Sequence, residues 1–402
     1  MSEITKPILL DETGREMLNA LNMIAIAQAS NAGTLESWET VRQLVRQGLA
    51  PRAFPVGSRL QTTHSEYGNI LLDVVAYDHH RDPLGRIPHS MTLLMHHCIY
   101  GRMIDNGELL WANTTEAALP AGTYCFTLYK GGNAGRTEED GTYQFTTTKP
   151  IPVGGGWLHP RVGSWYADAA SYKPENITGN TVSTYDADGS ALESGLIVTA
   201  SGEGTSLGTA SNAQGDCVHT IGTFNSVMRR AYGSNNWAES AARQWLNTDA
   251  AANAWWKPQT IFDRAPGYIN KAGFLAGLDA AFAAVLGEVE IETRRNDIYE
   301  IGETLGGTYA TRDTFFLPSM AEIGLGANNA VTEGSVLPYY EGSSEADRIK
   351  YDIANPTTAR YWWLRSPNPW HANYVRVVYP SGALGYSLAH SGHGLAAACV
   401  IY

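Results

Sequence analysis

The C-terminal part of the sequence contains a charge-poor tract whose side chains are suited to binding. Between Asn368 and His393 the non-glycine residues are mostly Asn, Tyr, Ser, His and small apolar residues, and Arg376 is the only charged residue after Arg365. Tyrosine gives a large contact area with few torsions to immobilise, while Ser, Gly and Asn give adaptable hydrogen bonds. The composition predicts a binding surface; the alternative is a Gly/Ser-rich terminal loop.

Predicted strands bracket this tract. The apolar residues 361–364 and 396–401 indicate buried strands, and residues 374–379 in the middle of the tract are also strand-like. An apolar terminal run has to be buried, because it would otherwise promote aggregation. The sequence therefore favours ordered loops on a sheet over a loose tail.

Catalytic and metal-binding motifs are weak by comparison. The sequence has no HExxH and no phosphate-binding loop, and acidic pairs such as Glu138-Glu139 fall in predicted turns. In His96-His97-Cys98 the neighbours would point to opposite faces of a strand, so they converge poorly on a metal. We predict a non-enzymatic protein without a metal or cofactor, and four free thiols: Cys98, Cys125, Cys217 and Cys399.

Three further segments allow two interpretations each. Residues 131–135 resemble a phosphate loop but lack the following helix and Lys-Ser/Thr pair, and residues 186–189 resemble a calcium loop but lack its last Glu, so turns are favoured for both. Trp255-Trp256 could form a sugar platform, although paired aromatic residues beside a helix end are more often core.

The end of the chain resembles a known family. The run Trp362-Trp363-Leu364-Arg365-Ser366-Pro367, then Val375-Arg376, residues 380–384 and residues 394–401, is similar to the variable proteins of diversity-generating retroelements, which resemble the major tropism determinant of a bacteriophage. The resemblance implies a C-type-lectin-like domain, akin to the formylglycine-generating enzyme fold. Those related enzymes use a cysteine pair, whereas Cys399 stands alone, so the fold is expected without the chemistry.

In this family, adenine-specific mutagenic reverse transcription rewrites Asn codons of a template. The allowed products include Asn, Tyr, Ser, His, Gly, Leu and Val but never Trp, so the resemblance assigns Trp370 to the fixed scaffold and leaves Asn368 ambiguous. The implied variable, ligand-binding positions are His371, Asn373, Tyr374, Val377, Tyr379, Gly385, Tyr386, Ser387, Leu388, His390, Ser391 and His393. We expect their side chains to share one exposed face.

The function implied by the resemblance is attachment to a host cell. The chain is expected to be a receptor-binding protein of a phage tail tip or fibre, a homotrimer made in the cytoplasm and carried on the virion, with a protein or glycan ligand on the host surface. The alternative is a structural virion or cell-surface subunit without a diversified face. A net charge of -12 without a Lys/Arg cluster disfavours a nucleic-acid partner, and neither a signal peptide nor a membrane span is predicted.

Apolar patterns along the chain predict further elements. Residues 69–77 and 91–95 indicate buried strands, and within the resemblance they begin the lectin-like domain that the end of the chain closes, so strands distant in sequence are expected to pair. Residues 120–128 and 141–146 indicate a β-hairpin. Trp237, Ala241 and Trp245, four residues apart, indicate an amphipathic helix at residues 236–247.

The predicted fold class is α+β, in four segments. Residues 1–50 form a helical hairpin for oligomerisation or attachment, 51–111 the first part of the lectin-like domain, 112–220 a β-rich insertion, and 221–402 the second part with the variable region 368–393. The two helices span residues 15–30 and a stretch from Thr34 to Gly48. Their apolar faces are expected to pack on the next domain or on other copies, the oligomer contacts being Leu18, Leu21, Ile24, Trp38 and Leu44.

Overall fold

The computed structural model shows a strand-rich α+β protein. It describes residues 37–107, 111–113, 116–129, 141–158, 179, 181–187, 190–200, 203–211, 218–220, 227–229, 235–259, 263–295, 307–369 and 374–402. The helices in these ranges are short: α1 Trp38–Arg46, α2 Ala50–Ala53, α3 Ala241–Leu246 and α4 Ala280–Ala283, with 3-10 turns at Phe274–Gly277, Pro338–Tyr340 and Ala346–Arg348. None of these helices has the length and apolar character needed to cross a membrane.

Two sheets bring the early strands and the end of the chain together. The first has the order β1-β2-β3-β24-β14, with β17 also paired to β24. Its strands are β1 Arg59–His64, β2 Gly68–Tyr77, β3 Met91–Met95, β14 Leu286–Gly287, β17 Phe315–Phe316 and β24 Ala398–Ile401. Leu93 of β3 lies opposite Cys399 of β24 in an antiparallel register, so the predicted pairing of distant strands is confirmed.

The second sheet, called the terminal sheet below, carries the charge-poor tract. Its order is β19-β18-β4-β23-β20-β21-β22. The strands are β4 His97–Arg102, β18 Lys350–Asp352, β19 Asn355–Arg360, β20 Trp362–Pro367, β21 Tyr374–Val378, β22 Leu384–Leu388 and β23 His393–Leu395. One hydrophobic core includes side chains from both sheets, among them Leu93, Trp362 and Val400.

The strands between residues 111 and 229 pair with one another within the described residues. They form a sheet of order β10-β9-β8-β5-β13-β12 and a sheet of order β11-β6-β7, while β15 and β16 form a separate ribbon. The bounds are β5 Trp111–Ala112, β6 Gly122–Tyr129, β7 Gly141–Thr147, β8 Gly156–Leu158, β9 Thr181–Tyr185, β10 Ala191–Ile197, β11 Thr205–Ser211, β12 Val218–Thr220, β13 Val227–Arg229, β15 Val289–Arg294 and β16 Thr308–Asp313. The predicted hairpin is present as the antiparallel pair β6–β7.

Two helices begin later than the sequence pattern predicts, because a serine caps each of them. Ser37 accepts a hydrogen bond from the Thr40 N–H, so α1 begins at Trp38. Ser240 does the same for the Arg243 N–H, which leaves Trp237 in the preceding turn although it is buried as expected. A side-chain acceptor at this position satisfies an otherwise unpaired amide and fixes where a helix starts.

The apolar face of α1 packs within the chain itself. Trp38 and Leu44 are 8% and 9% exposed, and the Trp38 ring lies 4.4 Å from that of Phe282 in α4. Both belong to the common core, so their expected role as oligomer contacts is wrong: they are already covered by this chain. Leu18, Leu21 and Ile24 lie outside the described residues.

Candidate binding surface

Two buried tryptophans fix the strand from which the tract departs. Trp362 and Trp363 of β20 are fully buried, and their indole N–H groups donate to the carbonyl oxygens of Arg348 (2.9 Å) and Arg102 (2.8 Å). Leu364, Val375, Val400 and Ile401 are also buried. The prediction that these six residues are buried is therefore confirmed, and both buried indole N–H groups have the hydrogen-bond partner that a buried tryptophan needs.

One side of the hairpin β21–β22 carries tyrosines, and we call it the tyrosine face: Tyr374, Arg376, Tyr386 and Leu388. Tyr374 lies opposite Leu388, and Arg376 opposite Tyr386, in the antiparallel register. The rings of Tyr374 and Tyr386 meet edge to face at 5.3 Å, and Tyr386 is 52% exposed. Edge-to-face pairs stabilise one ring geometry, so this face presents a preformed aromatic surface.

The other side of the hairpin continues onto β23, and we call it the histidine face: Tyr361, Tyr379, Ser387 and His393. The Tyr361 ring stacks on His393 at 5.1 Å and contacts Tyr379 at 5.2 Å, while His393 Nε2 lies 2.8 Å from Ser387 Oγ. Burial lowers the pKa of His393 below its ordinary value because desolvation disfavours the charged imidazolium. The histidine face is therefore uncharged at neutral pH.

The prediction that all variable positions share one exposed face is wrong. Side chains alternate across a strand, so β22 places Tyr386 and Leu388 on the tyrosine face and Ser387 on the other. Val377 is fully buried beside Val375, and Gly385 is buried as well. In the turn from β22 to β23, His390 is exposed and Ser391 donates its N–H to the Leu388 carbonyl oxygen; His371, Asn373 and Trp370 lie outside the described residues.

The absence of a side chain at Gly385 leaves room for the ring of Tyr379. A Cβ atom built on Gly385 would lie 2.1 Å from the Tyr379 ring, far inside the contact distance of two carbon atoms. A larger residue at 385 therefore needs a smaller residue at 379, or a displaced ring. These two implied variable positions are sterically coupled.

Two asparagines hold the ends of the tract, and sequence reasoning missed both. Asn235 Nδ2 donates to the carbonyl oxygens of Asn368 (3.1 Å) and Tyr374 (2.8 Å). Asn328 Nδ2 donates to the Pro367 carbonyl oxygen at 2.7 Å, and its Oδ1 accepts from Arg376. Neither residue belongs to a periodic pattern, and only the tertiary fold brings them to the tract. They fix the backbone on both sides of residues 370–373.

Beneath the tract, β20 is tied to the loops by a buried ion pair. Arg365 donates to both oxygens of Glu322 at 2.6 and 2.7 Å, and both side chains are almost fully buried. Burial alone would raise the pKa of Glu322, but the Arg365 guanidinium and the His80 hydrogen bond lower it below its ordinary value. The carboxylate is therefore ionised, and the pair fixes the position of β20.

His79, His80 and Glu322 place three potential metal-ligating atoms within 4.8 Å of one another. The sequence analysis missed this group. An ionised carboxylate only accepts, so His80 donates from Nε2 to Glu322 at 3.2 Å, and this nitrogen has no free lone pair for a metal. Arg365 already neutralises Glu322 and would repel a divalent cation. The arrangement fits a hydrogen-bonded core network better than a metal centre.

The remaining candidate motifs lie in the core or outside the described residues. Trp255 is 5% exposed and stacks on Tyr268 at 5.7 Å, as expected for a core residue. Cys98, Cys125 and Cys399 are buried free thiols; residues 131–135 and Cys217 are not among the described residues. His96 is hydrogen-bonded to Asp73 at 2.7 Å, so it is held away from any site with Cys98.

Comparison with known proteins gives one match. Residues 215–401 match a family described as "Domain of unknown function (DUF6273)", which covers fewer than half of the 402 residues. No curated protein and no solved structure matches the chain.

Proposed function

We propose that the chain is a non-enzymatic receptor-binding protein whose C-terminal hairpin contacts a ligand through side chains diversified by a retroelement. The observation that carries the proposal is the combination of a buried, hydrogen-bonded β20 with uncharged, partly exposed aromatic side chains on β21–β23. Tyrosine and tryptophan are frequent interface hot spots, and a rigid support lowers the entropy lost on binding. The wider fold is proposed to be C-type-lectin-like.

The proposed setting is a phage tail tip or fibre that attaches to a protein or glycan on a host cell. Contact residues lie on both faces of the hairpin. A ligand that surrounds the hairpin tip would therefore contact Tyr386 on the tyrosine face and the histidine face as well. Tyr361, a residue outside the proposed variable set, is 40% exposed and stacked on His393. It is therefore a constant contact residue beside variable ones.

Sequencing the codons for residues 368–393 in many copies of the gene from one population tests this proposal. We expect amino-acid changes at the exposed positions Tyr386 and His390 and the partly exposed positions Tyr374 and Ser387, and constancy at Trp362 and Trp363. We also expect residues larger than Gly at 385 to occur most often together with residues smaller than Tyr at 379, because the Tyr379 ring occupies the space and would otherwise have to be displaced. Silent drift spread evenly over the gene would instead support the structural-subunit alternative.

We propose a homotrimer whose contacts lie before residue 37. Light scattering should give three times the monomer mass of 43.6 kDa for the full chain and the monomer mass for a variant that lacks residues 1–36. A full chain that stays monomeric at micromolar concentration would contradict the proposal.

A further inference from the structure

The terminal sheet has two outer strands, and they differ in how they are protected. At one edge, β19 contains Pro356 and ends at Arg360. Proline and charge are the usual means by which proteins prevent another strand from adding to a sheet edge. At the other edge, β22 has the sequence Leu-Gly-Tyr-Ser-Leu, with no charge and no proline, and pairs with β21 without any shift of register.

The hydrogen-bonding pattern identifies the free groups of β22. Tyr379 donates its N–H to the Ala383 carbonyl oxygen at 2.8 Å. Bonded and non-bonded pairs alternate along an antiparallel ladder, so Gly385 and Ser387 use their backbone groups towards β21. The N–H and C=O groups of Leu384 and Tyr386, and the Leu388 N–H, then point outward; within the described ranges they have no hydrogen-bond partner.

We propose that an extended, basic segment of a partner protein pairs with β22 and continues the terminal sheet. This inference rests on the proposed function and names its ligand class. Strand addition obtains affinity from main-chain hydrogen bonds and selectivity from alternate side chains. Substitution of side chains leaves the backbone groups of β22 in place, so the edge keeps a basal affinity for extended segments. Changes at Tyr386 and its neighbours then alter which segment is preferred.

The charge around the edge selects the occupant. The turn before β22 packs on residues 345–348, where Arg348 Nε donates to the Gly382 carbonyl oxygen at 3.3 Å. Glu345 and Asp347 are exposed there, and hydrogen bonds from Ser344 lower the pKa of Asp347. Arg376, which lies opposite Tyr386, is only partly exposed and donates to Asn328 Oδ1. Among the described residues, the exposed charges beside the edge are therefore acidic. They repel a second copy of this chain, with a net charge of -12, and attract a basic segment.

The test uses the full chain and three capped octapeptides. The probe is Lys-Val repeated four times; the controls are the same peptide with an N-methyl group on every residue, which blocks both of its edges, and Glu-Val repeated four times. Calorimetry should show saturable binding of the Lys-Val peptide, and binding at least about tenfold weaker for the methylated peptide, which lacks the donors for two or more hydrogen bonds. The acidic peptide should bind at least about tenfold more weakly as well.

A matched pair of variants locates the contact. Tyr386→Pro removes the outward N–H, which the sheet itself does not use, and should weaken the probe at least about tenfold while the fold survives, as proline is accepted on an edge strand. Tyr386→Ala keeps that N–H and should weaken the probe by about threefold or less. Hydrogen exchange on the unaltered chain provides a measurement independent of the variants: the probe should slow exchange at Leu384, Tyr386 and Leu388.

Equal binding of methylated and unmethylated peptides, no measurable binding of the probe, or unchanged exchange at these three amides would overturn strand addition. These outcomes leave the proposed function intact if codons 368–393 vary as expected. If substitutions were spread evenly over the whole gene while the probe still bound, the proposed function would be contradicted and strand addition would stand. The edge would then bind extended segments without being diversified.

Discussion

Replacing Trp363 with alanine is expected to lower the free energy of unfolding by about 3 to 5 kcal/mol, the usual cost of truncating a buried aromatic residue. Trp363 is fully buried, contacts the His393 ring at 4.7 Å and loses its hydrogen bond to Arg102 in this variant. Urea titration followed by circular dichroism measures the change. Trp363→Phe should cost less, because it retains most of the buried area but not the indole N–H.

Tyr386→Ala is the matched control, since Tyr386 is an aromatic residue on the same sheet that is 52% exposed. Exposed substitutions usually change stability by less than about 0.5 kcal/mol. A loss of several kcal/mol in Tyr386→Ala would mean that this tyrosine supports the fold. Such a result would remove it from the proposed contact surface.

Arg365→Met should destabilise the protein by about 3 to 5 kcal/mol, because it leaves Glu322 buried without its counter-charge. The double variant Arg365→Met/Glu322→Leu should recover much of this loss, since an apolar pair needs no charge compensation. Arg312→Met is the control: its partner Glu290 lies 3.4 Å away and both side chains are about half exposed, so the expected loss is below about 1 kcal/mol.

The pH dependence of the Arg365→Met effect follows from the lowered pKa of Glu322. In the unaltered protein the folded pKa of Glu322 lies below its unfolded value of 4.5. Its ionised carboxylate therefore contributes its full stabilisation above pH 4.5, and this contribution decreases as the pH falls from 4.5 towards the folded pKa. Without Arg365, burial should raise the folded pKa instead, so the variant loses most at neutral pH. The difference between the two proteins should therefore begin to shrink above pH 4.5, where Glu322 of the folded variant takes up a proton, and continue to shrink below it; a difference independent of pH would assign the loss to packing alone.

Sequence patterns predicted the strands well where apolar runs were long. Residues 69–77 and 91–95 each show such a run and lie in β2 and β3, and the run 396–401 contains β24, which begins at Ala398. Helix starts were less accurate, because Ser37 and Ser240 accept amide hydrogen bonds at positions that apolar periodicity does not mark. The fold class follows from the patterns, whereas the ends of the elements depend on single caps.

Within the candidate surface, sequence reasoning identified the tract but not its geometry. The codon rule treats Val377 like its neighbours, whereas the pleat of β21 turns it inward with Val375. A period-two reading of Tyr374-Val375-Arg376-Val377 would have shown this. No local pattern could have identified Asn235, Asn328 or Glu322, because they reach the tract only through contacts between residues far apart in sequence.

The antiparallel pairing of β3 with β24 makes closure of the first sheet depend on complete translation. Because β24 follows residues 368–393, a ribosome completes it only after it has translated the whole tract. Until then Leu93 and its neighbours pair with β2 alone, and the sheet cannot close. Under the proposed function, a copy truncated within the tract would lack β24, stay unfolded and be open to proteolysis. Only copies translated through the tract to the last strand would be displayed.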